Sequence, residues 1–239
     1  MIIDFSERVV VVAGGTGGLG RAISLAFLGE GAKTVVTYRQ QEEFLSLKDA
    51  AGSNQSLLVG HPVDVTDQPA VAAVIDTVLA QHGKLDALVN TVGGYAGGTK
   101  LWDVNATVFD QMLALNLRSG FVLARAALPA MLKAARGSFV NVAAKAAIDH
   151  GGGAGAYAAS KAAAVALVDS LAADCKGTGV RVNSILPSII DTPANRKAMP
   201  DADFATWPKS EDIAKVILFL CSDAASTIHG AAIPVYGNS

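Results

Sequence analysis

VVVVAGGTGGLGRAISLAF, residues 9–27, holds a run of four valines and an alanine, a cluster of glycines, and an Ala/Leu/Ile-rich stretch of helical character. A strand apolar at every position suits a sheet covered on both faces. Gly14, Gly18 and Gly20 then fall between strand and helix as G-x-x-x-G-x-G. Glycines there permit a tight turn and let a pyrophosphate approach the backbone N–H groups at the helix N-terminus. The reading is a β-α turn built for a dinucleotide.

Outward from this turn, short β-branched runs alternate with longer Ala/Leu-rich ones. Strands are expected at 8–13, 33–38, 56–60, 85–90, 137–143, 180–186 and 231–236, and helices at 18–30, 67–82, 107–135, 155–175 and 210–222. Thr66 or Asp67 is the expected N-cap of 67–82, and Ser210 with Glu211 that of the last helix. Such alternation implies right-handed parallel crossovers. The expected fold is α/β: one doubly wound Rossmann-type domain over 1–239, with a seven-stranded parallel sheet and helices on both faces. The least regular stretch is 188–209, SIIDTPANRKAMPDADFATWPK; a loop this long in a compact domain reads as a substrate lid.

Composition narrows the function. The chain has 239 residues, is 51% apolar and carries a net charge of −2, so no basic field exists to hold nucleic acid or an anionic membrane. Cys175 and Cys221 stand far apart and the four histidines are scattered, so neither a disulfide nor a metal site is expected. The first ten residues lack the basic and apolar regions of a signal peptide, and no apolar run is read as long enough to span a bilayer, so a cytoplasmic protein is expected.

The second strand addresses the choice of dinucleotide. It ends Thr37-Tyr38-Arg39, with no acid until Glu42 to receive the ribose hydroxyls of NAD. Arg39 instead offers a planar fork to a 2′-phosphate, making NADP(H) the preferred cofactor and NAD(H) the alternative. Further on, AYAASKAAAVAL places Tyr157 and Lys161 four residues apart, on one face of a helix. An ammonium beside a phenol is expected to lower the phenol's pKa from about 10. Such a pair could exchange a proton while hydride moves.

With the glycine turn about 140 residues earlier, these residues resemble the short-chain dehydrogenase/reductase family over essentially the whole chain. The matching pieces are the glycine motif at 14–20, Asp64 in DVTD, NTVGG at 90–94, Asn116 in ALNLRSG, Tyr157, Lys161, the stretch 186–193 and HGAAIPVYG near the end. The resemblance implies cofactor contacts from Gly14, Thr16, Gly17, Gly18, Leu19 and Gly20. It places Asp64 and Val65 near the adenine, and Asn90, Val92 and Gly93 along the ribose-facing strand end. Ile190 and Thr192 would sit by the nicotinamide amide, and Asn116 would support a proton-relay water beside Lys161. It also implies a small-molecule substrate and a homodimer or homotetramer. One position departs from the family pattern: Ala144 stands where a catalytic serine is expected, thirteen residues before Tyr157.

A narrower resemblance, carried by VGGYAGG (92–98), AAKAAIDH (143–150) and DTPANRKAMPDADFATW (191–207), is to quinonoid dihydropteridine reductase, a branch that lacks that serine. It implies reduction of a quinonoid dihydropterin with Tyr157 as acid. Ala144 would face the substrate; Tyr95 is either a stacking platform for the ring or an exposed loop aromatic, and Trp207 either closes over the substrate or packs the lid against the body. Two alternatives stand beside it: a reductase of ketones, 3-oxoacyl groups or quinones, and a non-catalytic NADP-binding sensor.

Overall fold

The computed structural model describes residues 3–238; the expected domain limits at Met1 and Ser239 lie outside the described residues. In chain order the elements are β1 (Val9–Ala13), α1 (Gly18–Gly29), β2 (Lys33–Tyr38), α2 (Gln41–Ala50), β3 (Leu58–Pro62), α3 (Gln68–His82) and β4 (Ala87–Asn90). There follow α4 (Ala106–Leu113), α5 (Ser119–Lys133), β5 (Gly137–Val142), α6 (Gly155–Asp174), β6 (Val180–Pro187), α7 (Pro193–Ala198), α8 (Ser210–Cys221) and β7 (Ala232–Val235). All seven strands pair in parallel in the order β3-β2-β1-β4-β5-β6-β7.

The valine run shows how sequence builds the layers. Strand side chains alternate between faces. Val10 and Val12 pack with Ile23 and Phe27 of α1 and Ile213 and Ile217 of α8. Val9 and Val11 pack on the other face with Val71 and Ile75 of α3 and Leu123 and Ala127 of α5. All five β1 side chains are buried, and a fully buried valine contributes about 1.5–3 kcal/mol. At the N-terminal edge of the sheet Asp86 accepts from Val9 N (2.8 Å), and Arg136, Arg8 and Lys84 lie 3.4–3.8 Å from its carboxylate. This pins the strand starts and leaves the C-terminal edge free for a site.

The order reverses between β1 and β4, so the crevice of such a sheet opens where Gly14 and Thr91 follow those strands. Several expectations need correction. The α2 helix was not anticipated: QEEFLSLKDA is largely polar and buries only Leu47. The 107–135 helix is two helices joined by a π-helical turn, Ala114–Arg118. Residues 52–57 form a 3₁₀ turn, which moves the third strand two residues later than expected. Asp67, not Thr66, caps α3 by accepting from Ala70 N. Lys209, not Ser210, occupies the N-cap of α8, with no side-chain cap, while Glu211 and Asp212 lie in the first turn.

Residues 188–209 are more ordered than expected. They contain α7 and a short 3₁₀ turn at Phe204–Thr206, and Asp191 N donates to Pro208 O at their base. By length and composition alone α6 would also pass as a membrane span. It packs within the domain against β6 and α4 and buries Lys161.

Candidate active site

The glycine turn follows directly from β1. Gly14 takes φ +73°, a backbone region open chiefly to glycine. Its N–H donates to Thr37 Oγ1 (2.9 Å), and Gly15 N donates to Thr37 O. Thr91 Oγ1 donates to Ala13 O (2.7 Å) and Gly14 O (3.2 Å), fixing the turn from the β4 side. Gly20 lies so close to the turn that a Cβ there would fall 2.1 Å from Gly14 O. Gly17 is the N-cap of α1 and no side chain caps the helix. The first N–H groups of α1 therefore face the crevice as donors for an anion. Here the backbone fits the pyrophosphate of a dinucleotide, with Thr16, Gly17, Gly18, Leu19 and Gly20 around it.

Thr192 Cγ2 would meet a Cβ on Gly18 at 3.2 Å, so the start of α7 rests against the glycine turn. Thr192 caps α7 through Asn195 N (3.2 Å), and Asn195 Nδ2 donates to Ile190 O (2.8 Å). The structure thus places Thr192 beside the glycine turn, with the Ile190 carbonyl tied to the start of α7. Asn90 donates to Asn141 Oδ1 (2.8 Å) and accepts from Val92 N (3.1 Å), turning the chain after β4 towards Val92 and Gly93.

On the adenosine side Arg39 is exposed after β2, within electrostatic reach of Asp64. Asp64 accepts from Thr66 N and Thr66 Oγ1, and these bonds hold its carboxyl below the usual range, with a smaller contribution from Arg39. Val65 is buried beside it. Glu43, in the first turn of α2, accepts from Thr16 Oγ1 (2.8 Å). Sequence reasoning passed over Glu43 together with its helix; the only signal was an acidic pair after the second strand. Thr37 and Thr91 were also missed, being unremarkable threonines until the strands are laid side by side.

The chemical end lies on α6. Tyr157 meets Tyr95 edge to face, with ring centroids 5.0 Å apart. Lys161 is buried and donates to Val142 O (3.0 Å). A Cβ on Gly93 would fall 2.8 Å from Asn116 Oδ1 and 3.0 Å from Lys161 Nζ, so these two groups converge beneath that glycine. Asn116, in the π-helical turn, accepts from Gly94 N (2.9 Å) and donates to Gly94 O (3.0 Å) and Ser160 Oγ (2.9 Å). Ser160 Oγ in turn donates to Tyr157 O (2.7 Å). Ser160 was another residue the sequence did not single out.

One electrostatic expectation is overturned. Burial, and then Tyr95, push the Tyr157 phenol up to about 12, while burial brings Lys161 down to about 8. Lys161 contributes nothing to the phenol's shift, although the two share a helix face; its Nζ donates to Val142 O. The neutral phenol is the form present at neutral pH.

The buried lysine carries a stability prediction. Between about pH 8 and the ordinary lysine value of 10.5 the unfolded chain holds a proton that the folded chain has released, so this group's contribution rises with pH. The span corresponds to about 3 kcal/mol. Tyr157 acts with the opposite sign from pH 10 upwards. Urea unfolding of the unliganded protein should therefore show stability rising from pH 8 to 9.5 relative to Lys161→Met. Parallel pH profiles for the two proteins would contradict this.

Ala144 is buried just after β5, and the run 143–147 offers no hydroxyl. Lys145 lies over the Tyr236 ring and 3.9 Å from Asp149. Tyr95 is 69% exposed, whereas Trp207 is buried against Phe204, whose ring also receives the Arg196 guanidinium. The structure thus uses Trp207 to anchor 188–209 rather than presenting it openly to a ligand.

The profile of the short chain dehydrogenases matches residues 8–203. The chain belongs to this oxidoreductase family. Among relatives of the short-chain dehydrogenase, D-threitol dehydrogenase of Mycolicibacterium smegmatis is 34% identical over 98% of this chain and 95% of its own length. A 3-oxoacyl-[acyl-carrier-protein] reductase of Thermotoga maritima is 30% identical over 96% of both chains. Among solved structures, a short-chain type dehydrogenase/reductase from Mycobacterium ulcerans superposes with TM-score 0.93 at 27% identity, covering 98% of this chain and 90% of that one. Levodione reductase gives TM-score 0.90 at 28% identity, covering 98% and 97%. These similarities carry the family and not the narrower dihydropteridine branch.

Proposed function

We propose that this short-chain dehydrogenase is an NAD(P)-dependent oxidoreductase that interconverts a carbonyl and an alcohol on a small organic substrate. The observation that carries this reading is the convergence of Tyr157, Lys161 and Asn116 at the same sheet edge as the uncapped glycine turn. When bound, the dinucleotide supplies or accepts hydride at its nicotinamide. Gly14, Gly18 and Gly20 would admit it to the turn, the N–H groups of α1 would hold its pyrophosphate, and Thr192 and Ile190 would lie beside it. Tyr157, whose phenol is neutral at neutral pH, holds the proton that it would give to the substrate oxygen. Lys161 places a positive charge beneath the site below about pH 8. Asn116 and Ser160 fix the Gly94 loop and the Tyr157 backbone relative to each other.

The relatives support carbonyl chemistry: their names are those of a 3-oxoacyl reductase and a polyol dehydrogenase. The exposed Phe109 and Phe121 on α4 and α5, beside a shallow depression lined by Leu113, Leu117 and Arg118, support a homo-oligomer built on that face. A second reading, reduction of a quinonoid dihydropterin, is favoured in the structure by the absent hydroxyl at Ala144. The test is NADPH and NADH oxidation with ketones, 3-oxoacyl thioesters, quinones and a quinonoid dihydropterin side by side. Turnover of carbonyls is the expected result; turnover of the pterin alone would replace the first reading with the second.

Arg39 is read as the 2′-phosphate partner, opposed by the Glu43 carboxylate held on Thr16. Arg39→Ala should raise KM for NADPH about tenfold or more and leave KM for NADH nearly unchanged, since a charge-assisted hydrogen bond contributes about 1.5–3 kcal/mol. Equal changes for the two dinucleotides would contradict this assignment.

A further inference from the structure

The loop after β4 is clamped in a way that its own burial does not explain. Gly94 is held through both its N–H and its C=O by the buried Asn116 amide. The next residue, Tyr95, nevertheless leaves 69% of its surface exposed, so the clamp does not serve to bury an aromatic ring. What it does is set that ring against Tyr157, edge to face, with planes at 74°. The same Asn116 reaches Ser160, which holds the Tyr157 carbonyl, so one short hydrogen-bonded chain fixes both tyrosines relative to each other. Gly97 completes the arrangement. A Cβ there would fall 2.1 Å from the Tyr95 hydroxyl oxygen and 2.5 Å from its Cζ, so the loop leaves room for the phenol only because residue 97 is glycine.

The position after β5, close to the Val142 carbonyl that holds Lys161, carries only the Ala144 methyl, and no hydroxyl occurs from 143 to 147. A carbonyl oxygen that gains negative charge during reduction is stabilised by more than one preorganised donor. Tyr157 can supply one donor, the proton it transfers. A second phenol stands 5.0 Å away, ring to ring, on a clamped loop at the mouth of the site.

We propose that the Tyr95 hydroxyl is the second hydrogen-bond donor of this site, holding the substrate's carbonyl oxygen while Tyr157 protonates it. The inference rests on the carbonyl-oxidoreductase reading above. In the step, the carbonyl carbon accepts a hydride from the reduced dinucleotide and the C=O π pair moves onto oxygen. That oxygen takes the proton of Tyr157, which solvent replaces. Tyr95 keeps its own proton throughout. The charge interaction by which Tyr95 helps to push up the Tyr157 phenol places the two hydroxyls within electrostatic reach, in keeping with this role.

The test is Tyr95→Phe, which keeps the ring and removes the donor, assayed with a ketone substrate and reduced dinucleotide alongside Tyr95→Phe/Ala144→Ser. The single variant should lose about 10²-fold in kcat with the dinucleotide KM unchanged, the loss expected for one such donor. The double variant should recover at least tenfold, because a hydroxyl at 144 replaces the missing one. A kcat within threefold of the unchanged protein would overturn the donor role while leaving the carbonyl reading intact. A large loss that Ala144→Ser does not relieve would also overturn it, in favour of ring packing. Absence of ketone turnover by the unchanged protein would instead overturn the carbonyl reading, and the donor role with it.

Discussion

Tyr157→Phe should lower kcat for carbonyl reduction by about 10²- to 10⁴-fold, the range a positioned general acid contributes. The change is confined to one atom. A phenyl ring keeps the edge contact with Tyr95, and Ser160 continues to donate to the residue 157 carbonyl, since that bond is to the backbone. Lys161 keeps its bond to Val142 O. Dinucleotide affinity, which resides in the glycine turn and the start of α7, should therefore be unchanged. Nicotinamide fluorescence titration measures that affinity and steady-state kinetics measure the turnover. A variant retaining a tenth or more of the activity would show that the proton comes from elsewhere.

Gly20→Ala should abolish dinucleotide binding and destabilise the fold together. Its Cβ would fall 2.1 Å from Gly14 O and 2.8 Å from Thr91 Oγ1, and neither neighbour can retreat freely. Gly14 is tied to Thr37, and Thr91 to Ala13 O, so relief requires the turn itself to shift. Overpacking of this kind costs about 1–3 kcal/mol, which corresponds to roughly 2–12 °C in Tm for a domain of this size. A displaced turn no longer directs the N–H groups of α1 at a pyrophosphate, and affinity should fall by at least about 10²-fold. Gly29→Ala is the matched control. A Cβ at Gly29 meets nothing within 4 Å, so the variant should bind normally and be no less stable. Equal behaviour of the two variants would mean that the turn does not act as described.

How much of this was legible in the sequence depends on what each residue's neighbours are. The strands were readable because a doubly covered sheet makes them apolar throughout, as in β1. The α2 helix was not, because it buries a single leucine, half-buries Phe44 against Tyr38 and leaves its other residues exposed. The π-helical turn at Asn116 left no mark on the helical periodicity, yet it belongs to the network that clamps Gly94. Tyr157 and Lys161 were found from their spacing, but spacing gave the wrong electrostatics. It places two residues on one helix face without saying that the lysine ammonium donates to the Val142 carbonyl at the end of β5. For Trp207 the sequence left two roles open, closing over the substrate or packing the lid against the body; in the structure it is buried against Phe204. Serines and threonines such as Ser160, Thr37 and Thr91 acquire meaning only through partners that sequence separation conceals.

The central claim, that this site moves hydride between a nicotinamide and a carbonyl carbon, is tested most directly by isotope transfer. NADPH deuterated at C4 would be incubated with the protein and the best ketone substrate, and the product alcohol analysed by mass spectrometry and NMR. The account predicts one deuterium on the carbinol carbon from one face of the nicotinamide, with the yield collapsing in Tyr157→Phe. Consumption of NADPH without deuterium in an alcohol product, or binding without any consumption, would contradict it.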